Sequence, residues 1–205
     1  MNRPIFCFVG LSGSGKTTLL NGVMNYFRKF SNRNYKKLIY HTTRKKRPNE
    51  VDGEDYIFET DVTKMENIVE IRTYNKADEG VVYYYTTYDD ASDESVDAYL
   101  CAASVNQVYE YVDKFDNVRI IALDCPAKDR IKRSLNRVID KSRIISDSQC
   151  EEICRRVLEE KEEYANLKEI NVDLIWNIDS SDASDLDLNI IKVAHYIEDM
   201  LEEGF

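Results

Sequence analysis

The sequence predicts an α/β fold in three layers, a central parallel sheet with helices on both faces. Three observations carry that expectation. IFCFV at residues 5–9 leads through a glycine-rich loop into a helix-like stretch. Such an unbroken apolar run suits a strand buried on both faces of a parallel sheet. RIIALD at 119–124 and VDLIWN at 172–177 are further apolar runs, each preceding a helix-like stretch. DYIFET, IVEIRTY and GVVYYYTTY crowd together, and their Ile, Val and Tyr content makes a β-rich lobe inserted at about residues 36–90.

Composition supports one domain. The chain has 205 residues, is 43% hydrophobic, contains three prolines and carries no Ser/Gly-rich linker or internal repeat. Before its first glycine the N-terminus offers only a short apolar stretch, too short for a signal sequence or membrane span. The five scattered cysteines (Cys7, Cys101, Cys125, Cys150, Cys154) read as free thiols in a reducing cytoplasm. Cys150 and Cys154 share a helix face, but neither His41 nor His195 is near in sequence, so zinc is not expected. A formal net charge of -10 disfavours nucleic acid as a partner. The basic residues cluster in short segments, which suits a compact anion.

In chain order, the first chemistry is GLSGSGKTT at residues 10–18, after the strand and before the helix TLLNGVMNYFRKF. This is G-x-x-x-x-G-K-[ST] in the context the motif requires, and it specifies a P-loop NTPase fold. Three of the seven glycines lie in this loop, where they let successive N–H groups converge on phosphate oxygens. The helix adds its positive end. Gly10, Ser12, Gly13, Ser14, Gly15, Lys16, Thr17 and Thr18 are therefore candidate ATP-binding residues. Lys16 reaches the terminal phosphates and the Thr17 hydroxyl is a ligand for Mg²⁺. A GTPase reading lacks an N-K-x-D base reader, for which Asn171-Val172-Asp173 is a poor substitute. An ATPase reading would place a metal on Asp124, but an ordinary core strand ending in a turn at Cys125-Pro126 explains that run better.

Next comes HTTRKKRPNEVDGEDYIF at residues 41–58, with Arg44, Lys45, Lys46 and Arg47 in a row. Two guanidinium forks on a loop suit a dianionic terminal monophosphate, and Tyr56 can add a hydroxyl donor. Alone, such a charge run is a solvated face. Beside a phosphate loop it points to a second phosphate site, and hence to a kinase.

These two segments together resemble the guanylate kinase family of nucleoside monophosphate kinases. The shared pattern is T-T-R-x-x-R-x-x-E-x-D-G-x-D-Y-x-F, present here as Thr42, Thr43, Arg44, Arg47, Glu50, Asp52, Gly53, Asp55, Tyr56 and Phe58. The resemblance implies an acceptor site of Arg44, Arg47, Glu50, Tyr56, Glu70, Tyr84 and Thr86. Glu70, in a segment similar to the family's I-E-W, would read the guanine edge. Tyr84 aligns with a second phosphate-binding tyrosine and Thr86 with a base-binding hydroxyl. A carboxylate accepts well from guanine N1–H and N2–H₂, and a hydroxyl can donate to O6.

PAKDRIKRSLNRV at 126–138 and CEEICRRVLEEKEEYANL at 150–167 read as basic amphipathic helices and resemble the family's lid. Arg133, Arg137 and Arg156 align with lid arginines, and Lys16, Arg137 and Arg156 become the candidate catalytic residues. Arg130, Arg143 and Arg155 read as solvated helix residues. Asn177 resembles an asparagine near the adenine, ahead of a final helix at 184–203. The expected division is a core of 1–35, 91–126 and 161–205, an acceptor-binding lobe at about 36–90 and a helical lid at about 127–160.

The function implied is ATP-dependent phosphorylation of GMP or dGMP with Mg²⁺, by a cytoplasmic monomer or homodimer. Departures concern the base and the metal. Tyr40 replaces a small residue, Tyr85 a glycine, Ala102 and Ser104 a pair of acids, and the stretch from Arg137 to Arg156 is longer than usual. Two alternatives stay open: a P-loop kinase for another nucleotide or phosphorylated small molecule, and a binding module of guanylate-kinase-like form.

Overall fold

The computed structural model describes residues 3–48, 50–60, 66–76, 79–142, 145–171 and 175–204. In chain order its elements are β1 (Ile5–Gly10), α1 (Lys16–Phe30), β2 (Tyr35–Lys37), β3 (His41–Thr42), β4 (Ile57–Phe58), β5 (Ile68–Lys76) and β6 (Gly80–Thr87). There follow β7 (Ala98–Ala103), α2 (Val105–Lys114), β8 (Val118–Asp124), α3 (Ala127–Ser142), α4 (Asp147–Ala165), β9 (Ile175–Asp179) and α5 (Leu186–Glu203).

Five strands form the central sheet in the order β2-β7-β1-β8-β9, and all pairings are parallel. This is the α/β arrangement that the apolar runs predicted. β1 lies in the middle, and its side chains are divided by strand parity. Ile5, Cys7 and Val9 join Val105, Val108 and Tyr111 of α2 in one buried cluster. Phe6 and Phe8 join Leu19, Leu20 and Val23 of α1 and Val193, Ala194 and Ile197 of α5 on the opposite face. Each fully buried Phe contributes roughly 1.5–3 kcal/mol, so β1 anchors both helical layers and delivers the loop after Gly10 to the carboxyl end of the sheet.

Four strands make a second sheet, β4-β3-β6-β5, in which β6 runs antiparallel to both β3 and β5. It rests on α2. The Lys114 ammonium donates to the Val69 carbonyl, and the Thr86 hydroxyl meets that of Tyr111. The α2 helix begins with a capping box, in which the Ser104 hydroxyl accepts from the Gln107 N–H and the Gln107 side chain accepts from the Ser104 N–H.

The longer stretch between Arg137 and Arg156 is taken up largely as helix, since α3 runs on to Ser142 and α4 begins already at Asp147. Arg143 lies outside the described residues, as do residues 172–174 of the expected last strand. Cys7, Cys101 and Cys125 are buried free thiols, and Cys150 and Cys154 on α4 are also free. Among the described residues no helix is long and apolar enough to cross a membrane.

Candidate active site

The loop from β1 to α1 is shaped by glycine. Gly13 has φ +81°, and a β-carbon there would lie 2.6 Å from the Arg130 carbonyl oxygen. Gly15, at φ 98°, caps α1, whose first turn holds no acid. The positive end of that helix is thus left for an anion. The Lys16 ammonium donates to the Gly10 carbonyl at 2.6 Å and to that of Leu11 at 3.3 Å. Ser14 is buried, and among the described residues its hydroxyl has no hydrogen-bond partner, while Thr17 and Thr18 are exposed.

Helices α3 and α4 both face this loop. A cavity of 250 Å³ is walled by Lys16, Thr17 and Thr18 below and by Arg137 and Arg156 from α3 and α4. The Arg156 guanidinium also donates to the Ser12 hydroxyl at 2.8 Å. Arg133 is engaged otherwise, donating to the Ser180 and Ser181 carbonyls at 2.7 and 2.9 Å and reaching the Gly13 and Ser14 carbonyls at 3.4 Å. It binds the phosphate loop to the segment after β9. Asn177 sits exposed within β9, level with Ala122; the cavity beside Arg133 and Gly15 is lined instead by Ser180, Asp182 and Asn189.

Arg130 corrects the expectation of a solvated residue. It is 3% exposed, and its Nε donates to the Cys125 carbonyl at 3.1 Å. Its side chain fills the space between the end of β8 and the phosphate loop. Arg155 is exposed and paired with Glu152 at 2.7 Å.

On the lobe, Arg44 is 3% exposed and fully engaged by its neighbours. It forks onto Glu50 with two bonds of 2.6 Å, and donates to the Tyr84 hydroxyl and the Lys45 carbonyl at 2.9 Å each. The fork from Arg44 holds the Glu50 carboxyl down at about 2. The guanidinium also stands 4.8 Å over the Tyr56 ring. Arg47, by contrast, has a side chain 67% exposed, 3.7 Å from Glu50. Arg44 is thus the pillar of this loop and Arg47 its outward cation.

Between loop and lobe lies a cavity of 670 Å³, walled by Lys16, Thr17, Tyr40, Tyr56, Arg72 and Ser104 among others. The two cavities share Ser12, Lys16, Thr17 and Arg156. Glu70 and Thr86 are buried. Burial pushes the Glu70 carboxyl up, against the pull of Arg72 and a hydrogen bond from Gln107. Three residues not singled out in the sequence, Arg72, Gln107 and Tyr111, adjoin these two. Only Gln107 carried a signal, since S-x-x-Q at 104–107 before an apolar run is a capping box.

For Mg²⁺ the protein donor set is sparse. Ala102 and Ser104 line the large cavity with Thr17, but Ala102 has no donor and the Ser104 hydroxyl caps α2. Among the described residues no group of three or more His, Cys, Asp or Glu is placed to hold a metal. The exposed Thr17 hydroxyl fits an ion that takes its other ligands from nucleotide phosphates and water, as Mg²⁺ commonly does.

A family model described as guanylate kinase matches residues 1–199. No curated protein matches the chain. Among solved structures, guanylate kinase from Anaplasma phagocytophilum superposes with a TM-score of 0.58 at 15% sequence identity, over 96% of this chain and 85% of that one. At that identity the likeness concerns the fold.

Proposed function

The chain belongs to the guanylate kinase family, and from that premise we propose that it transfers the γ-phosphoryl group of ATP to the phosphate of a nucleoside monophosphate, GMP being the acceptor the family puts first. The observation that carries this reading is the meeting of two cavities at Lys16 and Arg156, one under the lid arginines and one open towards Tyr56. A donor phosphate on the loop and an acceptor phosphate from the lobe would approach each other there.

The chemistry needs no covalent intermediate. The loop N–H groups and the end of α1 hold the β- and γ-phosphates, Lys16 leaves its carbonyl partners for them, and Arg137 and Arg156 offset the charge spread over the transferring group. Arg47 and the hydroxyls of Tyr56 and Tyr84 orient the acceptor phosphate, on a loop that Arg44 and Glu50 hold rigid. Thr17 would hold Mg²⁺ brought in with ATP, and the ion would supply neutralisation of phosphate charge. Buried free thiols suit a reducing, cytoplasmic setting.

The test is ADP release coupled to a spectrophotometric readout, with ATP, Mg²⁺ and GMP. Turnover is expected in the native chain, with a loss of about three orders of magnitude or more, ~4 kcal/mol, in Lys16→Ala of unchanged circular dichroism. Near-normal turnover in that variant would overturn the mechanism. Absence of ADP release with every monophosphate would favour a binding module.

A further inference from the structure

The family pattern assigns guanine reading to Glu70 and Thr86, yet in this chain neither lines the large cavity that faces the phosphate loop. Glu70 is 4% exposed. One of its oxygens accepts from the Gln107 side-chain amide at 2.8 Å, and the other lies 3.6 Å from Arg72 Nε. Glu70 lines a smaller cavity of 230 Å³ between β5 and α2, which adjoins the large one at Arg72, Asn106 and Gln107. Thr86 is 0% exposed, with its hydroxyl 3.0 Å from that of Tyr111.

A side-chain amide N–H₂ bonded to a carboxylate offers the same donor that guanine N2–H₂ would. Gln107 therefore satisfies Glu70 as the base would. It is also fixed from its other end, because its oxygen accepts from the Ser104 N–H at 2.8 Å at the start of α2. To admit guanine, the amide would have to leave both a buried acid and a helix cap, exposing unpaired polar groups. Tyr40 stands beside Tyr111, the partner of Thr86. Its ring is in the wall of the large cavity and its hydroxyl is buried beside that of Tyr111 without a well-formed hydrogen bond. The Arg72 guanidinium covers the ring at 5.5 Å.

Resting on the kinase reading above, we propose that the acceptor site of this chain selects a phosphomonoester by its phosphate and does not select guanine, because Gln107, Tyr111 and Tyr40 satisfy and cover the two base-reading groups. The acceptor class is nucleoside 5′-monophosphates irrespective of base, with base-free sugar 5-phosphates included. The wall of the large cavity offers the non-phosphate part of the acceptor Tyr40 and Tyr74 for stacking and Arg72 and Asp55 for charge, with the Asn106 and Gln107 amides at its α2 side and no carboxylate of the family's base reader.

Two measurements decide this. In the first, kcat/KM is compared for GMP, AMP, CMP, UMP and ribose 5-phosphate. The nucleotides are expected to agree within about tenfold, where a satisfied guanine reader gives about a hundredfold or more. A GMP preference above a hundredfold would overturn the proposal. In the second, titration calorimetry with GMP, AMP and ribose 5-phosphate asks the same of binding alone, so that a chain without turnover is still informative. Equal affinities support the proposal even where the kinase reading fails, tighter GMP binding by a hundredfold overturns it, and no binding of any of the three overturns both. Gln107→Ala, checked for folding by its melting curve, should free Glu70 and raise the GMP to AMP ratio several-fold. An unchanged ratio in the folded variant would also count against it.

Discussion

The phosphate loop and the inserted lobe both carry long motif matches, yet they differ in what the matching residues are free to do. Around the loop the groups proposed to hold phosphate are mostly backbone N–H on a turn shaped by Gly13 and Gly15, and the side chains Lys16, Arg137 and Arg156 open onto one cavity. On the lobe the matching side chains are largely spent on neighbours: Arg44 on Glu50 within the lobe, Glu70 on Gln107 and Thr86 on Tyr111 of α2. A motif preserves residue types. Whether each group still faces a ligand is decided by neighbours that the motif does not include.

The comparison is sharpened most by the lid. Arg137→Ala and Arg156→Ala should each lower kcat by about a hundred- to a thousandfold and leave KM within a few-fold, since their contacts strengthen only as charge spreads over the transferring group. Steady-state kinetics check this, and a rise in KM at constant kcat would assign both arginines to ground-state binding.

A second break separates Arg44 from Arg47. Arg44→Ala leaves the Glu50 carboxylate without its fork and should destabilise the fold by roughly 3 kcal/mol, seen as a lower melting temperature. Arg47→Ala removes a side chain that is mostly exposed. It should leave melting unchanged and weaken monophosphate binding about tenfold, or ~1.4 kcal/mol, with ATP binding unaltered. Equal effects of the two variants would dissolve the distinction between pillar and ligand.

The smallest effect concerns pH. His41 lies between Asp90 at 3.1 Å and Glu59 at 3.3 Å, stacked on Tyr85. Burial pulls its pKa down, but the bonds to Asp90 and Glu59 outweigh this and raise it above the usual value. The stabilisation from a raised histidine pKa is fully present below about 6.5 and is lost as pH rises through the folded-state value. Going from pH 6 to 8.5 should therefore lower the native melting temperature by about 2–4 °C relative to His41→Gln, the shift that ~1 kcal/mol causes at this chain length. Parallel pH curves for the two proteins would show that the histidine bears no such load.

What was legible in the sequence follows the same division. The strand, loop and helix of residues 5–30 were readable because apolar continuity and glycine spacing act locally. The parallel sheet followed from repeated apolar runs, and two of the lobe's strand-like segments became the long strands β5 and β6. Arg130 was misread because its burial depends on packing against Cys125 and the phosphate loop, more than a hundred residues away along the chain for the latter. Gln107 and Tyr111 were not legible as partners of Glu70 and Thr86, since only the docking of α2 against the second sheet brings them together.

The alternation along β1 has a consequence for how this part of the gene can change. Phe6 and Phe8 face one helical layer, Ile5, Cys7 and Val9 the other, and the strand passes without slack into the phosphate loop. Replacements of similar volume are therefore open to it. A one-residue insertion or deletion is not, for it would exchange the two faces and move Gly13 out of its close contact with the Arg130 carbonyl. Length here behaves as a counted quantity, and drift in this stretch must proceed by substitution alone.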